Sequence, residues 1–170
     1  AVTNAIADTT NVKIEVSGGT VYAADPSPLA NIAEGDSEGK PSNGTYVDDT
    51  ADLLAKKTAA AAIVGGGIAT GAGAKVTSTD VTINLFGGSI GDADEKGNIY
   101  AGGAATLGGK TSVTTAEINV AGATVNGDIY GGGLVGSPRN NAFANATQYA
   151  QAESTVEDVT IRLLEGSVQN

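Results

Sequence analysis

The stretch that decides the fold runs from Ile118 to Gly133 and reads INVAGATVNGDIYGGG. Its opening residues alternate apolar and polar side chains, which is typical of a strand that buries one face. A turn of small residues and a Thr-Val pair follow, and the stretch closes on Ile-Tyr before three glycines. The same pattern recurs along the chain, so the sequence is read first as a repeat.

The alternating segment occurs four times without gaps. In every copy the outward positions are polar and the inward positions are aliphatic, so the segments predict half-buried strands that share one core. The four copies are Val12–Val16, Val81–Leu85, Ala116–Val120 and Val159–Leu163. We expect one buried ladder formed by Ile14, Ile83, Ile118 and Ile161. The neighbouring polar residues expected outside it are Lys13, Thr82, Glu117 and Thr160.

A third element appears in three copies, Ile63–Gly67, Ile99–Gly103 and Ile129–Gly133. One repeat therefore reads as strand, glycine corner, short strand, Ile-Tyr strand, second glycine corner and return segment. The spacing between elements varies at only two points of the repeat. Such variation indicates stacked coils whose loops leave at corners. The chain is predicted to be a single domain, residues 1–170, folded as a parallel β-solenoid of about three to four coils.

The remaining residues are interpreted as insertions into this repeat. The predicted insertions span about 23–61, 92–97 and 134–153. Proline and glycine mark the first half of the longest insertion as loop. Its segment 48–57 has acidic residues at the start and lysines near the end, which favours a short helix because the charges match the helix dipole.

One signal favours a different fold. Asn126-Gly127 lies between apolar residues, and this dipeptide is a strong indicator of a tight β-hairpin. An antiparallel β-sandwich therefore remains the alternative. The other copies lack the dipeptide at this place, whereas the order of the three elements persists.

The composition excludes several classes of function. The chain has 9 basic and 19 acidic residues, a net charge of −10, and neither cysteine nor histidine. Nucleic acids and anionic membrane surfaces attract basic clusters, so neither is an expected partner. No apolar run is long enough for a membrane span. Disulfides, thiol chemistry and histidine catalysis are ruled out as well.

A weak metal candidate lies in the acidic insertion. Asp92, Asp94 and Gly97 fit three positions of a calcium-binding loop, but Lys96 stands where an oxygen ligand belongs and Gly103 replaces the final glutamate. A solvated loop is the favoured interpretation. We expect no cofactor and no catalytic residues. A carbohydrate-active enzyme with two facing carboxylates remains the alternative function.

The stretch Ile118–Gly133 resembles repeats in the passenger regions of bacterial cell-surface and autotransporter-type proteins. The resemblance covers the repeat cores, about half of the chain, and not the insertions. It implies a right-handed parallel β-helix that serves as a structural stalk or adhesin on the surface of a bacterium. A ligand on a host or bacterial surface is then a possible partner class.

The two ends of the chain each interrupt a coil. Thr9-Thr10-Asn11 precedes the first strand, and Ser167-Val168 follows the last corner. An interrupted coil presents unpaired backbone groups over a whole cross-section. We therefore expect association end to end, either with flanking repeats of a longer chain or with another copy in a fibre.

Overall fold

The computed structural model describes residues 5–23, 60–70, 73–106, 108–135 and 152–169. These residues form ten strands, and no helix occurs among them. The helix predicted at 48–57 lies outside the described residues. In chain order the strands are β1 (Ile6–Val21), β2 (Ala61–Val64), β3 (Ile68–Thr70), β4 (Lys75–Ile90), β5 (Asn98–Tyr100), β6 (Ala104–Thr106), β7 (Lys110–Asn126), β8 (Ile129–Tyr130), β9 (Leu134–Val135) and β10 (Glu153–Gln169).

The strands belong to three sheets in a strictly repeating order. The first sheet is β1-β4-β7-β10, the second is β2-β5-β8 and the third is β3-β6-β9. Three consecutive strands, one from each sheet, are called a rung here: β1–β3, β4–β6 and β7–β9 are rungs one to three. Strand β10 lies on β7 and begins a fourth. The chain thus visits the sheets in turn and advances by one strand each time.

All pairs between these strands are parallel, and like residues face one another. Ile14 pairs with Ile83, Ile83 with Ile118, and Ile118 with Ile161, so the predicted ladder is confirmed. The antiparallel sandwich is wrong. Gly127 does not turn a hairpin but leads from the first sheet into the second, where a Cβ on it would lie 2.5 Å from the carbonyl oxygen of Gly97. Close approach between rungs, rather than a hairpin turn, requires this glycine.

Burial of the ladder depends on the position in the stack. Ile83 and Ile118 are fully buried, Ile14 is half-buried, and Ile161 is 45% exposed. The prediction of a buried residue is therefore wrong for Ile161. The physical reason is that the fourth rung has one strand, β10 in the first sheet, and no strand in the second or third sheet within the described ranges. The turn after β8 lies close to Val159, but no strand of a fourth rung covers the inner face of β10 within those ranges.

The first glycine corner of each repeat is also different from the prediction. Gly18-Gly19 lies inside β1, and Gly87-Gly88 lies inside β4. The pairing of the two strands shifts between Val16 and Thr20, so the glycines form a bulge and the chain stays in the same sheet. Gly19 and Gly88 have φ angles of 77° and 85°. A bulge residue with positive φ is a usual place for glycine.

Strands overlap three boundaries of the predicted insertions by one or two residues. Strand β2 begins at Ala61, inside the predicted insertion 23–61, while β9 and the first residue of β10 fall inside 134–153. The chain between β4 and β5 is a loop, as expected for 92–97. Residues 24–59 and 136–151 lie outside the described residues.

The core is aliphatic and lies between the sheets. It contains the inward residues of β4 and β7 together with Ile63, Ile99 and Ala101 of the second sheet and its following turn. The outer face is polar: Asn119 Nδ2 donates to Asn84 Oδ1 across the strands at 2.9 Å. Lys13 pairs with Glu15 on the same face and lowers the pKa of that carboxyl. Such exposed ion pairs contribute little to stability.

The contrast between Ile118 and Ile161 gives a matched test of this core. Replacing Ile118 by Ala should lower the free energy of unfolding by about 2–5 kcal/mol, because it leaves a cavity in a buried layer. Replacing Ile161 by Ala should cost much less, because its side chain is already 45% exposed. Urea unfolding of both variants measures the difference. Equal losses would contradict the burial described here.

Candidate functional site

The turn from the first sheet into the second carries exposed tyrosine and acidic side chains. This turn, called the corner here, comprises residues 91–98 of rung two and 126–130 of rung three, together with Tyr22 after β1. Gly91 N donates to Val21 O at 2.7 Å, and Gly97 N donates to Asn126 O at 2.8 Å. The middle loop is thus hydrogen-bonded to the rungs on both sides of it.

Asp92 organises the acidic loop. Its Oδ1 accepts hydrogen bonds from the backbone N–H of Asp94 at 2.8 Å and of Glu95 at 2.9 Å. Its Oδ2 accepts from the hydroxyl of Tyr22 at 2.9 Å. The backbone N–H of Glu95 is the largest cause of a lowered pKa at Asp92, because these donors favour the ionised carboxylate. The hydrogen bond from the Tyr22 hydroxyl to Asp92 is the largest cause of a raised pKa at Tyr22.

The candidate calcium ligands Asp92 and Asp94 lie on this loop, but the last position of the calcium-loop motif does not. Asp92 and Asp94 lie within one turn of each other, and both oxygens of Asp92 already accept hydrogen bonds from the protein. Gly103, the twelfth position of the loop motif, is buried beyond β5, where a Cβ would lie 2.6 Å from Thr111. No group of three or more carboxylates able to hold a metal occurs in the described part of the chain. Calcium binding at Asp92 and Asp94 stays a prediction.

A tyrosine stack lies at the second-sheet side of the corner. The rings of Tyr100 and Tyr130 are nearly parallel, with centroids 4.7 Å apart and an interplanar angle of 9°. The repeat predicts this arrangement, and Val64 holds the equivalent position one rung below. Tyr100 is 4% exposed and Tyr130 is 39% exposed. Burial is the main cause of a raised pKa at Tyr100.

Tyr130 also forms a pair with a carboxylate. Its hydroxyl donates to Asp128 Oδ2 at 3.0 Å, and this bond is the main cause of its raised pKa. The backbone N–H of Asp128 donates to Asn98 Oδ1 at 2.7 Å, which connects rung three to rung two. The corner therefore presents two tyrosine–aspartate pairs, Tyr22–Asp92 and Tyr130–Asp128.

Sequence reasoning missed these pairs. Asn126 belongs to the dipeptide that favours the alternative hairpin fold, but its Nδ2 donates to Ser89 Oγ and to the carbonyl oxygen of Gly91 in the rung below. A usable signal was present, because a short polar residue, Asn98 or Asp128, precedes Ile-Tyr in two copies. The partnership of Tyr22 with Asp92 had no such signal, since the two residues are far apart in sequence.

The corner combines flat rings with hydrogen-bonding groups. An exposed tyrosine ring offers an apolar face for stacking and a polar hydroxyl at its edge. A carboxylate that acts as a general acid needs a raised pKa, close to the working pH. The pKa of Asp92 is lowered instead. The Asp92 carboxylate is therefore suited to accepting hydrogen bonds rather than to donating a proton.

Comparison with protein-family models, with curated proteins and with solved structures finds no match to this chain. Within the described ranges, no helix is long and apolar enough to cross a membrane. The function is therefore inferred below from the residues of the stack and its corner.

Asp92 gives a pH-dependent test of the corner. Because its pKa is lowered, the ordering that it provides is present above the ordinary pKa of aspartate, about 3.9, and is lost as the pH falls through the lower folded value. NMR titration of the backbone amides of Asp94 and Glu95 should show this transition. Asp92→Ala should speed hydrogen exchange at both amides, whereas Asp94→Ala should leave exchange at the amide of Glu95 slow. Exchange at the amide of Glu95 that is equally slow with and without Asp92→Ala would contradict the assignment.

Proposed function

We propose that the chain is a right-handed parallel β-solenoid that serves as a structural or adhesive segment of an extracellular protein on a bacterial surface. Its rungs would bear load along the stack, and its corner would contact other molecules. The proposed role is not catalytic and uses no cofactor. The resemblance of Ile118–Gly133 to surface passenger repeats supports the location.

The observation that carries the proposal is the continuous parallel pairing of the first sheet. β1, β4, β7 and β10 pair in that order over almost their whole lengths, so backbone hydrogen bonds connect every rung to the next. The second and third sheets add the same connection between rungs one and three. A stack in which each unit contacts its neighbours is suited to a spacer, because its length is set by the number of units.

The adhesive part of the proposal concerns the corner. Loops on a rigid scaffold usually carry binding, and the tyrosine–aspartate pairs project from such a scaffold. Tyr22 and Tyr130 are exposed, and each hydroxyl is held by a carboxylate. Sugars and polar peptide surfaces are suitable ligands for rings and carboxylates in this arrangement.

A carbohydrate-active enzyme is the second candidate, favoured by the same corner. Glycoside hydrolysis needs a pair of carboxylates about 5–10 Å apart, one of them with a raised pKa. Asp92 and Asp128 lie in neighbouring rungs of the corner, and the lowered pKa of Asp92 excludes this carboxylate as the general acid but not as the nucleophile. The enzyme is therefore kept as an outcome of the test rather than as the proposal.

Single-molecule stretching from both termini tests the spacer role. A stack of coupled rungs should extend in successive steps, each releasing about 3.3–3.6 Å of contour per residue freed. A disulfide between Thr82→Cys and Glu117→Cys should remove one step, because these paired outward residues belong to adjacent strands. The chain has no natural cysteine, so the cross-link is unambiguous. One-step unfolding that the disulfide leaves unchanged would overturn the proposal.

Retention on immobilised polysaccharides tests the adhesive role. Binding without release of new reducing ends, weakened several-fold in Tyr130→Ala, is the expected result because Tyr130 presents an exposed ring. Ile6→Ala is the control, since Ile6 is exposed on β1 away from the corner. New reducing ends that disappear in Asp92→Asn or Asp128→Asn would assign the corner to catalysis instead.

A further inference from the structure

A column of glycines crosses the turn from the second sheet into the third. Gly66 N donates to Gly102 O, and Gly102 N donates to Gly132 O, each at 3.0 Å. A Cβ on Gly66 would lie 2.6 Å from the backbone nitrogen of Gly103, and a Cβ on Gly102 would lie 2.8 Å from that of Gly133. At both positions the backbone of the next rung leaves no room for a side chain.

Gly132 holds the same position in rung three but has open space around it. Among the described residues, no atom lies within 4 Å of a Cβ built on Gly132, and its φ is not in the left-handed region. Neither local conformation nor the surrounding atoms therefore demand glycine here. The physical reason that applies to Gly66 and Gly102 would apply to Gly132 as well if a backbone lay over it.

The tyrosine stack ends at the same level. Tyr100 lies between Val64 and Tyr130 and is 4% exposed, whereas Tyr130 is 39% exposed. Ile129 is half-buried, although its partner Ile99 is fully buried. Within the part of the chain that the structure describes, the ring of Tyr130 and the side chain of Ile129 thus lack the cover that the next rung provides to their counterparts.

Strand β10 forms an apolar wall beside this open end. Its inward residues Val159, Ile161 and Leu163 are 42%, 45% and 57% exposed, whereas the residues that they pair with in β7 are fully buried. A Cβ on Gly131 would lie 2.9 Å from Val159 Cγ1, so the wall adjoins the glycine turn. Among the described residues, rung three is the floor and β10 is the wall of one uncovered apolar space.

We infer that this space is an acceptor for one further strand of the repeat, of the Ile-Tyr-Gly-Gly-Gly type, which adds in parallel to β8 and turns over Gly132. The inference rests on the solenoid proposed above and names the chemistry of its partner. The added isoleucine would lie on Ile129 and against Ile161, and the added tyrosine would stack on Tyr130. The next glycine pair would place its backbone over Gly132.

Continuity with the existing stack identifies this occupant. Ile63, Ile99 and Ile129 already pair in one column, and the added strand extends it by one residue of the same kind. A second copy could not supply the strand through its own first rung, because its β1 would need the place that β10 holds on β7. A sugar ring could stack on Tyr130, but it would not account for the open Gly132 or for the apolar wall.

The register of β10 allows a direct test in the full chain. Gln169 pairs with Asn126, so a residue that follows Gln169 is in register with Gly127. Asn170 is replaced by a copy of residues 127–135, which read GDIYGGGLV. The extended chain should unfold at a higher urea concentration and should protect Tyr130 from a fluorescence quencher. A tenfold or greater increase in the folding equilibrium constant is expected, because tethering removes the cost of association.

The Gly132→Ala variant tests whether the added strand lies over Gly132. In the unextended chain it should leave the urea midpoint unchanged, because its Cβ meets nothing there. In the extended chain it should abolish the gain, because that Cβ would collide with the added backbone. Gly102→Ala is the matched control and should destabilise both chains, because its Cβ would lie 2.8 Å from the nitrogen of Gly133.

Three results would overturn the inference. They are an extension that gives no gain, a gain that survives Gly132→Ala, and a dimer of the unextended chain, seen by light scattering, that Gly132→Ala disrupts. The last result would assign the open end to contact between copies. None of them affects the stretching experiment, which uses the unextended chain, so the spacer role and the acceptor role can fail separately.

Discussion

Parallel hydrogen bonding between like residues of successive rungs is the constraint on which the rest of the structure depends. It places each side chain directly against its own counterpart about 4.8 Å away, so every position must tolerate its own repetition. Isoleucine on isoleucine meets this condition inside the stack, and asparagine on asparagine meets it outside. Lys75 on Lys110 is an unfavourable pair, and Lys110 is bound instead by Glu153 of the next strand at 2.9 Å.

The same constraint explains why glycine occurs at the turns between sheets. Where the chain passes from the second sheet to the third, adjacent backbones lie too close for a Cβ, and this explains Gly66 and Gly102. The bulge glycines of the first sheet have a different cause, since Gly19 and Gly88 adopt positive φ. Gly19 has open space around it, so its conformation alone requires glycine, whereas at Gly88 a Cβ would also lie 2.5 Å from the carbonyl oxygen of Gly19.

The corner shows how exposed polar and aromatic side chains can be added to such a stack without disturbing it. Its loop is held by backbone hydrogen bonds to the rungs on both sides, while Tyr22 and Asp92 form their pair at the exposed edge. The Tyr130–Asp128 pair combines both roles, because its ring belongs to the tyrosine column and its hydroxyl belongs to the surface. Binding there and growth of the stack over Tyr130 would therefore compete for one ring face.

The sequence by itself determined the repeat, the inward and outward faces and the ladder through Ile118, because alternation and spacing are local properties that stacking repeats. Only the tertiary structure decided that the Gly18-Gly19 turn is a bulge and that Gly127 lies in the turn from the first sheet into the second. Both depend on which backbone segment lies next to the glycine. It also decided the exposure of Ile161 and the pairing of Tyr22 with Asp92. The period of the repeat identifies the equivalent residues, but the burial and the hydrogen-bond partners of each residue depend on the residues of the next rung.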